Sequence, residues 1–349
     1  MYAGVVHGQN DIRYEEIDKP LPGAGQVQVK VKYTGICGSD VPRVNGTACH
    51  FFPMVLGHEF SGVISAVGEG VTRVRPGQRV AGIPLVPCMK CDDCAKGNFS
   101  LCKHYSFIGS RQFGSFAEYV VVPETNVFPF DDEVSFEKGA LFEPSSVALH
   151  GLRVAKFEGG RTVAVVGTGT IGLLTLQWAR IMGASDLTAI NRSRGKLDIA
   201  RRLGADHAIS TLDEDYYDQA MEITGGKGFD YIFDCTGNEA VMKESFRLAA
   251  NKGTICMIGT PKNSMTFTVS EWECINRKEF YLTGSWMSYS APFPGEEWEL
   301  TAYHFRKGDL VIDEAMIGDI LPLSRIDEGF EMFKTPGRVK GKILIDSEA

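Results

Sequence analysis

Nine cysteines are present, an odd number, and four of them fall between positions 88 and 102. The spacing Cys88-x2-Cys91-x2-Cys94-x7-Cys102 puts four thiolates on one loop. That is the donor set of a closed tetrahedral Zn²⁺ site, which braces a loop and leaves no position open for chemistry. An iron–sulfur cluster is the competing use of four such thiolates. A second constellation is dispersed: Gly35-Ile36-Cys37-Gly38-Ser39-Asp40, Gly57-His58-Glu59 and Glu143-Pro144. One thiolate (Cys37), one imidazole (His58) and a carboxylate (Glu59 or Glu143) suit zinc, and three protein ligands leave a fourth position for water or substrate. The other cysteines, Cys49, Cys235, Cys256 and Cys274, have no metal spacing; Cys235 and Cys256 fall in apolar runs and read as small core residues.

A third feature is Gly167-Thr168-Gly169-Thr170-Ile171-Gly172, which follows the apolar run TVAVV and opens a helical pattern. The first glycine serves a tight turn, the second admits a pyrophosphate to the backbone, and the third lets helix and strand pack closely. The free N–H groups at the helix start then face the phosphates. About 20 residues on, where an acidic side chain would bind the 2′-hydroxyl of NAD, the chain has Asn191-Arg192-Ser193-Arg194. A neutral Asn191 does not repel a 2′-phosphate, and the guanidinium groups of Arg192 and Arg194 can bind it, so NADP is favoured over NAD. The alternative is that both arginines lie on a solvated face and Asn191 serves either ribose.

The elements that must position these groups differ along the chain. Up to about residue 150, runs such as 27–33, 60–67 and 116–122 alternate or stay apolar between glycines and prolines, as in a β-rich, partly closed barrel. Residues 138–155 have helical spacing. From residue 161 strands and helices alternate: TVAVVG, a helix over 171–182, LTAI, a helix over 195–203, YIFDCTG, a helix over 238–250, and TICMIG. That alternation predicts a doubly wound parallel sheet. The expected organisation is thus α/β: a discontinuous β-rich domain of residues 1–150 and 287–349, and a nucleotide domain of residues 151–286.

With 44% hydrophobic and 23% charged residues, the composition is that of a globular protein able to bury sizeable cores. The net charge of −8 argues against nucleic acid and anionic membranes as partners, without excluding a small anion in a local basic pocket. No run reaches the length of a membrane helix, and Met1–Arg13 has no apolar targeting core. The cytoplasm is the expected compartment, where clustered cysteines serve metals rather than disulfides.

Together these motifs resemble the zinc-dependent medium-chain alcohol and polyol dehydrogenases. The glycine pattern after His58 (Gly62, Gly68, Gly70, Pro76, Gly77) is similar to theirs. The resemblance implies a GroES-like β-rich catalytic domain interrupted by a Rossmann domain, two zinc ions per chain, and a homodimer or homotetramer. It implies Cys37 and His58 as catalytic zinc ligands, with Glu59 or Glu143 as the carboxylate ligand, and Ser39 as the hydroxyl that starts a proton relay. The implied reaction is hydride transfer between a secondary alcohol and a nicotinamide cofactor. A narrower resemblance, to members acting on polyol phosphates, rests on CGSDVPR (37–43), YSFIGSR (105–111) and GSWMSYSAPFPGEEWE (284–299). Arg43 and Arg111 are the expected phosphate contacts, and Trp286, Tyr289 and Trp298 candidate walls of the substrate cleft. The alternatives are an unphosphorylated sorbitol- or xylitol-type substrate, a threonine-type dehydrogenase, or a catalytically silent cofactor-binding protein.

Overall fold

The computed structural model describes residues 1–349 except Lys262. It divides into two compact units: Met1–Glu143 with Tyr289–Lys307 and Glu314–Ala349, and Pro144–Ser288 with Gly308–Asp313. The joins expected near 150 and 287 thus compare with Glu143/Pro144 and Ser288/Tyr289. The return of Gly308–Asp313 to the second unit has no signal in the sequence.

The first unit is β-rich. Its largest sheet runs, in order, Val127–Pro129, Arg79–Gly82, Glu59–Val67, Gln26–Gly35, Lys342–Asp346 and Ile317–Pro322, and Tyr119–Pro123 also pairs with Gln26–Gly35. Apolar side chains on alternate positions of these strands (Val27, Val29, Val31, Phe60, Ile64, Val120, Val122) form one core cluster, as the period-2 pattern requires. A second cluster gathers Ile36, Met54, Leu56, Phe116, Ile326, Phe330, Ile343 and Ile345. Two register facts position the chemistry. Gly35 at the end of one strand lies opposite Glu59 at the start of its antiparallel neighbour, and opposite Leu344 on the other side. Cys37, His58 and Lys342 are therefore brought to the same end of three adjacent strands.

The second unit has six parallel strands in the order His207–Ser210, Asp186–Asn191, Thr162–Val166, Phe229–Asp234, Ala249–Met257 and Tyr281–Gly284. The strand order reverses beside Thr162–Val166, which is where a doubly wound sheet opens its ligand crevice. The core strands are buried along nearly their whole length because helices cover both faces of such a sheet. The helical pattern at 138–155 resolves into two pieces, Phe136–Gly139 and Phe142–Val154. Pro144 sits in the first turn of the second helix, where its missing N–H costs nothing. Among the described residues no helix is long and apolar enough to cross a membrane.

Candidate active site and metal centres

The four-cysteine loop closes on itself. The Sγ atoms of Cys88, Cys91, Cys94 and Cys102 all lie within 4.8 Å of one another, with Cys88 to Cys94 at 4.0 Å and Cys91 to Cys102 at 3.8 Å. A tetrahedron with metal–sulfur bonds of about 2.3 Å has edges of about 3.8 Å, so the set could hold a single ion. Ligands of a multi-iron cluster bind different metals and stand farther apart. Backbone N–H groups prepare part of the charge. The N–H of Lys90 leads in lowering Cys88 to about 6, and that of Cys94 leads in lowering Cys91. Burial pushes Cys94 up to about 12. A cation would make that third thiolate affordable.

The dispersed constellation also converges. Donor atoms of Cys37, His58 and Glu59 lie within 4.8 Å of one another. His58 and Glu59 are buried, at 4% and 1% exposed. Glu143 opens the helix Phe142–Val154 and is 9% exposed, yet it falls outside this donor group. Burial pushes its carboxyl up to about 7, with His58 opposing and Glu59 reinforcing the rise. Of the two glutamates, Glu59 shares the donor group of Cys37 and His58 in this structure.

Two residues to which the sequence reading gave no role of their own adjoin this site. Asp40 is fully buried; its Oδ2 accepts from the Cys37 N–H at 3.1 Å, and its Oδ1 lies 3.4 Å from His58 Nδ1. The Oδ1 and Nδ1 atoms have no hydrogen-bond partner among the described residues, since their alignment falls short of a bond. A carboxylate behind Nδ1 orients a histidine so that Nε2 is left for a metal. Burial alone would lower His58, but Asp40 and Cys37 raise it well above the usual value. The carboxylate of Asp40 and the sulfur of Cys37 facing a buried imidazole make a donor set that suits a divalent ion. The second is Lys342, whose Nζ lies 2.6 Å from Glu59 Oε2 and 2.8 Å from Oε1. A lysine at the head of the apolar strand KILID was the available signal.

The remaining candidates divide. Ser39 is exposed, with its Oγ 3.3 Å from Cys37 Sγ. Arg43 donates from Nη1 to the Ser39 carbonyl at 2.5 Å and stands 3.8 Å from Asp40. Arg111 stacks on the Tyr105 ring at 4.4 Å. His50, which the sequence reading passed over, is lowered by burial and then by the charges of Arg111 and Arg43. Trp286 is 49% exposed. Tyr289 is not a cleft wall: it is 2% exposed, stacked against Phe293 and Trp298, and its hydroxyl accepts from the Leu85 N–H at 3.4 Å. Trp298 is fully buried. Both aromatics are core residues: the Tyr289 hydroxyl has a partner there, whereas Trp298 Nε1 has none among the described residues, so its large ring area favours burial despite the polar tip.

In the second unit Gly167 has φ +88°, and a Cβ there would stand 2.5 Å from Thr236 Cγ2. A Cβ on Gly172 would collide with the Gly167 carbonyl, whereas one on Gly169 would meet nothing within 4 Å. The turn and the close packing thus claim the outer two glycines, and the middle one leaves open space. Thr170 and Ile171 begin the helix Thr170–Ile181, whose first N–H groups have no side-chain cap. Asn191 Nδ2 donates to Thr168 Oγ1 at 2.5 Å, tying the ends of two adjacent strands together. Arg194 is engaged by Asp213 at 2.6 Å; Arg192 is exposed, with no ion pair among the described residues.

The fold and these centres define a class, and comparison with known proteins agrees. Residues 23–132 match the alcohol dehydrogenase GroES-like domain and residues 170–302 the zinc-binding dehydrogenase family. The chain belongs to the medium-chain zinc-binding alcohol and polyol dehydrogenases and is an enzyme of that family. Galactitol 1-phosphate 5-dehydrogenase of Escherichia coli (strain K12) is 39% identical over 285 residues, 82% of each chain. D-arabitol-phosphate dehydrogenase of Enterococcus avium is 32% identical, over 97% of this chain and 95% of its own. The crystal structure of galactitol-1-phosphate dehydrogenase from Escherichia coli superposes with a TM-score of 0.94 at 33% identity, covering 99% of this chain and all of that one. A zinc-binding dehydrogenase from Sinorhizobium meliloti 1021, bound to NADP, superposes with a TM-score of 0.89 at 29% identity, over 99% and 98%.

Proposed function

We propose that this enzyme oxidises a secondary hydroxyl of a polyol phosphate, such as galactitol 1-phosphate, to the ketose, with NADP⁺ and two zinc ions per chain. The observation that carries the phosphate assignment is Arg43, held on the Ser39 carbonyl two residues beyond Cys37 of the donor group. A phosphate held there by guanidinium groups would fix the polyol's carbon chain relative to the metal site. The resemblance to enzymes of two phosphorylated polyols supports the same reading.

Cys37, His58 and Glu59 would hold the catalytic zinc, and Cys88, Cys91, Cys94 and Cys102 the structural one. Bound zinc would make the substrate hydroxyl acidic, and NADP⁺ would accept the hydride. The protein's own work is positional. Asp40 keeps the His58 ring in place. Ser39 Oγ, exposed and two residues beyond Cys37, takes the departing proton toward water. Arg43 is anchored on the Ser39 carbonyl, so phosphate binding and the proton exit share one loop. Gly169 and the start of Thr170–Ile181 would cradle the pyrophosphate, and Asn191 with Arg192 would meet the 2′-phosphate. Arg194 would have to leave Asp213 to join them, at little cost for an exposed pair. We also propose a homodimer or homotetramer, for which the terminal strand Tyr281–Gly284, with Tyr281 67% exposed, offers an unpaired edge.

Kinetics with galactitol 1-phosphate, galactitol, sorbitol and xylitol, each with NADP⁺ and NAD⁺, test the reading. The expected result is kcat/KM at least about 100-fold higher for the phosphorylated polyol, as two charge-assisted contacts imply. Arg43→Ala should raise KM for that substrate and spare the unphosphorylated ones. Arg192→Ala should move the cofactor preference toward NAD⁺ by about 10–100-fold. Equal rates with and without the phosphate, or a strong NAD⁺ preference in the wild type, would overturn the respective assignment.

A further inference from the structure

The first unit holds a cavity to which the chemistry above gives no task. Its volume is about 440 Å³, within the roughly 300–1,000 Å³ of small-molecule sites. None of the metal-ligand candidates, the glycine turn or the arginines discussed above lines it. Its floor is the edge of the core, where Val5, Val55 and Ala117 are at most 3% exposed. Two rings, Phe113 and Tyr119, wall it, and Phe113 is left half-exposed. The charged side chains that line it are both carboxylates, Glu15 and Asp18. Glu15 engages His7 Nε2 through Oε1 at 2.9 Å. Asp18 is exposed, with no ion pair or hydrogen bond among the described residues. Lys19 Nζ lies 3.4 Å from the centre of the Tyr119 ring, so an ammonium is already held against that ring.

The cavity is held open by backbone that has no slack. The Val55 carbonyl accepts from the Gly114 N–H at 2.8 Å, the Leu56 carbonyl from Phe116 at 2.9 Å and the Gly57 carbonyl from Ser115 at 3.0 Å. A Cβ on Gly109 or Gly114 would collide with the Gly57 carbonyl. A preformed site costs a ligand little ordering entropy. Its chemistry describes what fits. An aliphatic or aromatic body leaves water for the floor of Val5, Val55 and Ala117. A protonated amine finds carboxylates and an aromatic face, whereas an acid would meet Glu15 and Asp18 as like charges. We propose that this cavity is a binding site for a small apolar amine, separate from the site at which the polyol is oxidised.

The test is calorimetric titration of the zinc-loaded enzyme with 2-phenylethylamine, and with phenylacetate as the probe of opposite charge. The amine should bind saturably at one site with a Kd on the order of 0.1–1 mM, as about nine non-hydrogen atoms in a preformed cavity allow. Phenylacetate should bind at least about tenfold more weakly. Asp18→Asn should weaken the amine about threefold and the double variant E15Q/D18N about tenfold, with kcat and Tm unchanged. Phe113→Ala, which removes a wall at the surface, should weaken both probes and serves if the double variant does not fold. Galactitol 1-phosphate should not displace the amine, and His58→Ala should bind it as wild type does, which separates this cavity from capture of the amine at the catalytic metal. No saturable binding up to about 10 mM would overturn the proposal. So would phenylacetate binding as tightly as the amine, displacement by galactitol 1-phosphate, loss of binding in His58→Ala, or unchanged affinity in E15Q/D18N.

Discussion

The two cysteine centres contrast in almost every physical respect. The loop centre draws four like donors from residues 88–102, with Cys88 and Cys91 partly exposed and Cys94 and Cys102 buried. The other draws three unlike donors from two strand ends, and surrounds them with Asp40, Glu143 and Lys342 at 0%, 9% and 8% exposure. A closed shell of thiolates can only brace. The mixed set of three has a carboxylate behind its histidine and an ammonium behind its glutamate. The difference teaches that the loop centre is a set of like donors from one stretch of chain, whereas the dispersed one is surrounded by buried charged groups from distant parts of the sequence.

Substitutions should separate the two centres by what they damage. The largest effect on turnover is expected from His58→Ala, a loss of at least about 1,000-fold in kcat/KM with the Tm little changed, since the substrate oxygen loses its charge stabilisation. Asp40→Asn should cost about 10–100-fold in activity or in affinity for the catalytic zinc, the range for a partner that orients a metal-binding histidine. Cys94→Ser should invert the pattern: Tm falls by at least about 5 °C in a thermal melt, while kcat of the folded fraction stays within about threefold. If Cys94→Ser abolished turnover in folded protein, the division of labour would be lost.

Acid should affect the loop centre in a defined window. The Cys88 thiol is held below its ordinary value of 9.0, at about 6, chiefly by the Lys90 N–H. The stability this contributes is complete above the ordinary value and is lost as pH falls through about 6, where protons compete with zinc for the sulfur. Zinc released to a colorimetric chelator should therefore rise as pH drops below about 6; release that does not vary between pH 5 and 8 would contradict this.

Much of the contrast was legible in the sequence, and the part that was not has a physical reason. Four cysteines on one loop point to a metal, so spacing alone singles them out. The glycine triplet was equally local, and its strand-before, helix-after context sits on Thr162–Val166 and Thr170–Ile181. The strands holding the dispersed site were visible as apolar runs, but their partners were not. Glu59 and Lys342 are far apart in sequence and meet only because Gln26–Gly35 pairs with both of their strands. Register also brings Glu59 into the donor group of Cys37 and His58. Tyr289 was misplaced toward the substrate for a related reason: an aromatic in a distinctive segment gives no hint of the Phe293 and Trp298 rings that enclose it.

The most direct test is the zinc content per chain of three purified proteins: wild type, His58→Ala and Cys94→Ser, each with its activity. The account predicts two zinc ions in the wild type and one in each variant, with activity lost in His58→Ala and kept by folded Cys94→Ser. Two ions in an inactive His58→Ala protein, or one ion in a fully active wild type, would contradict it.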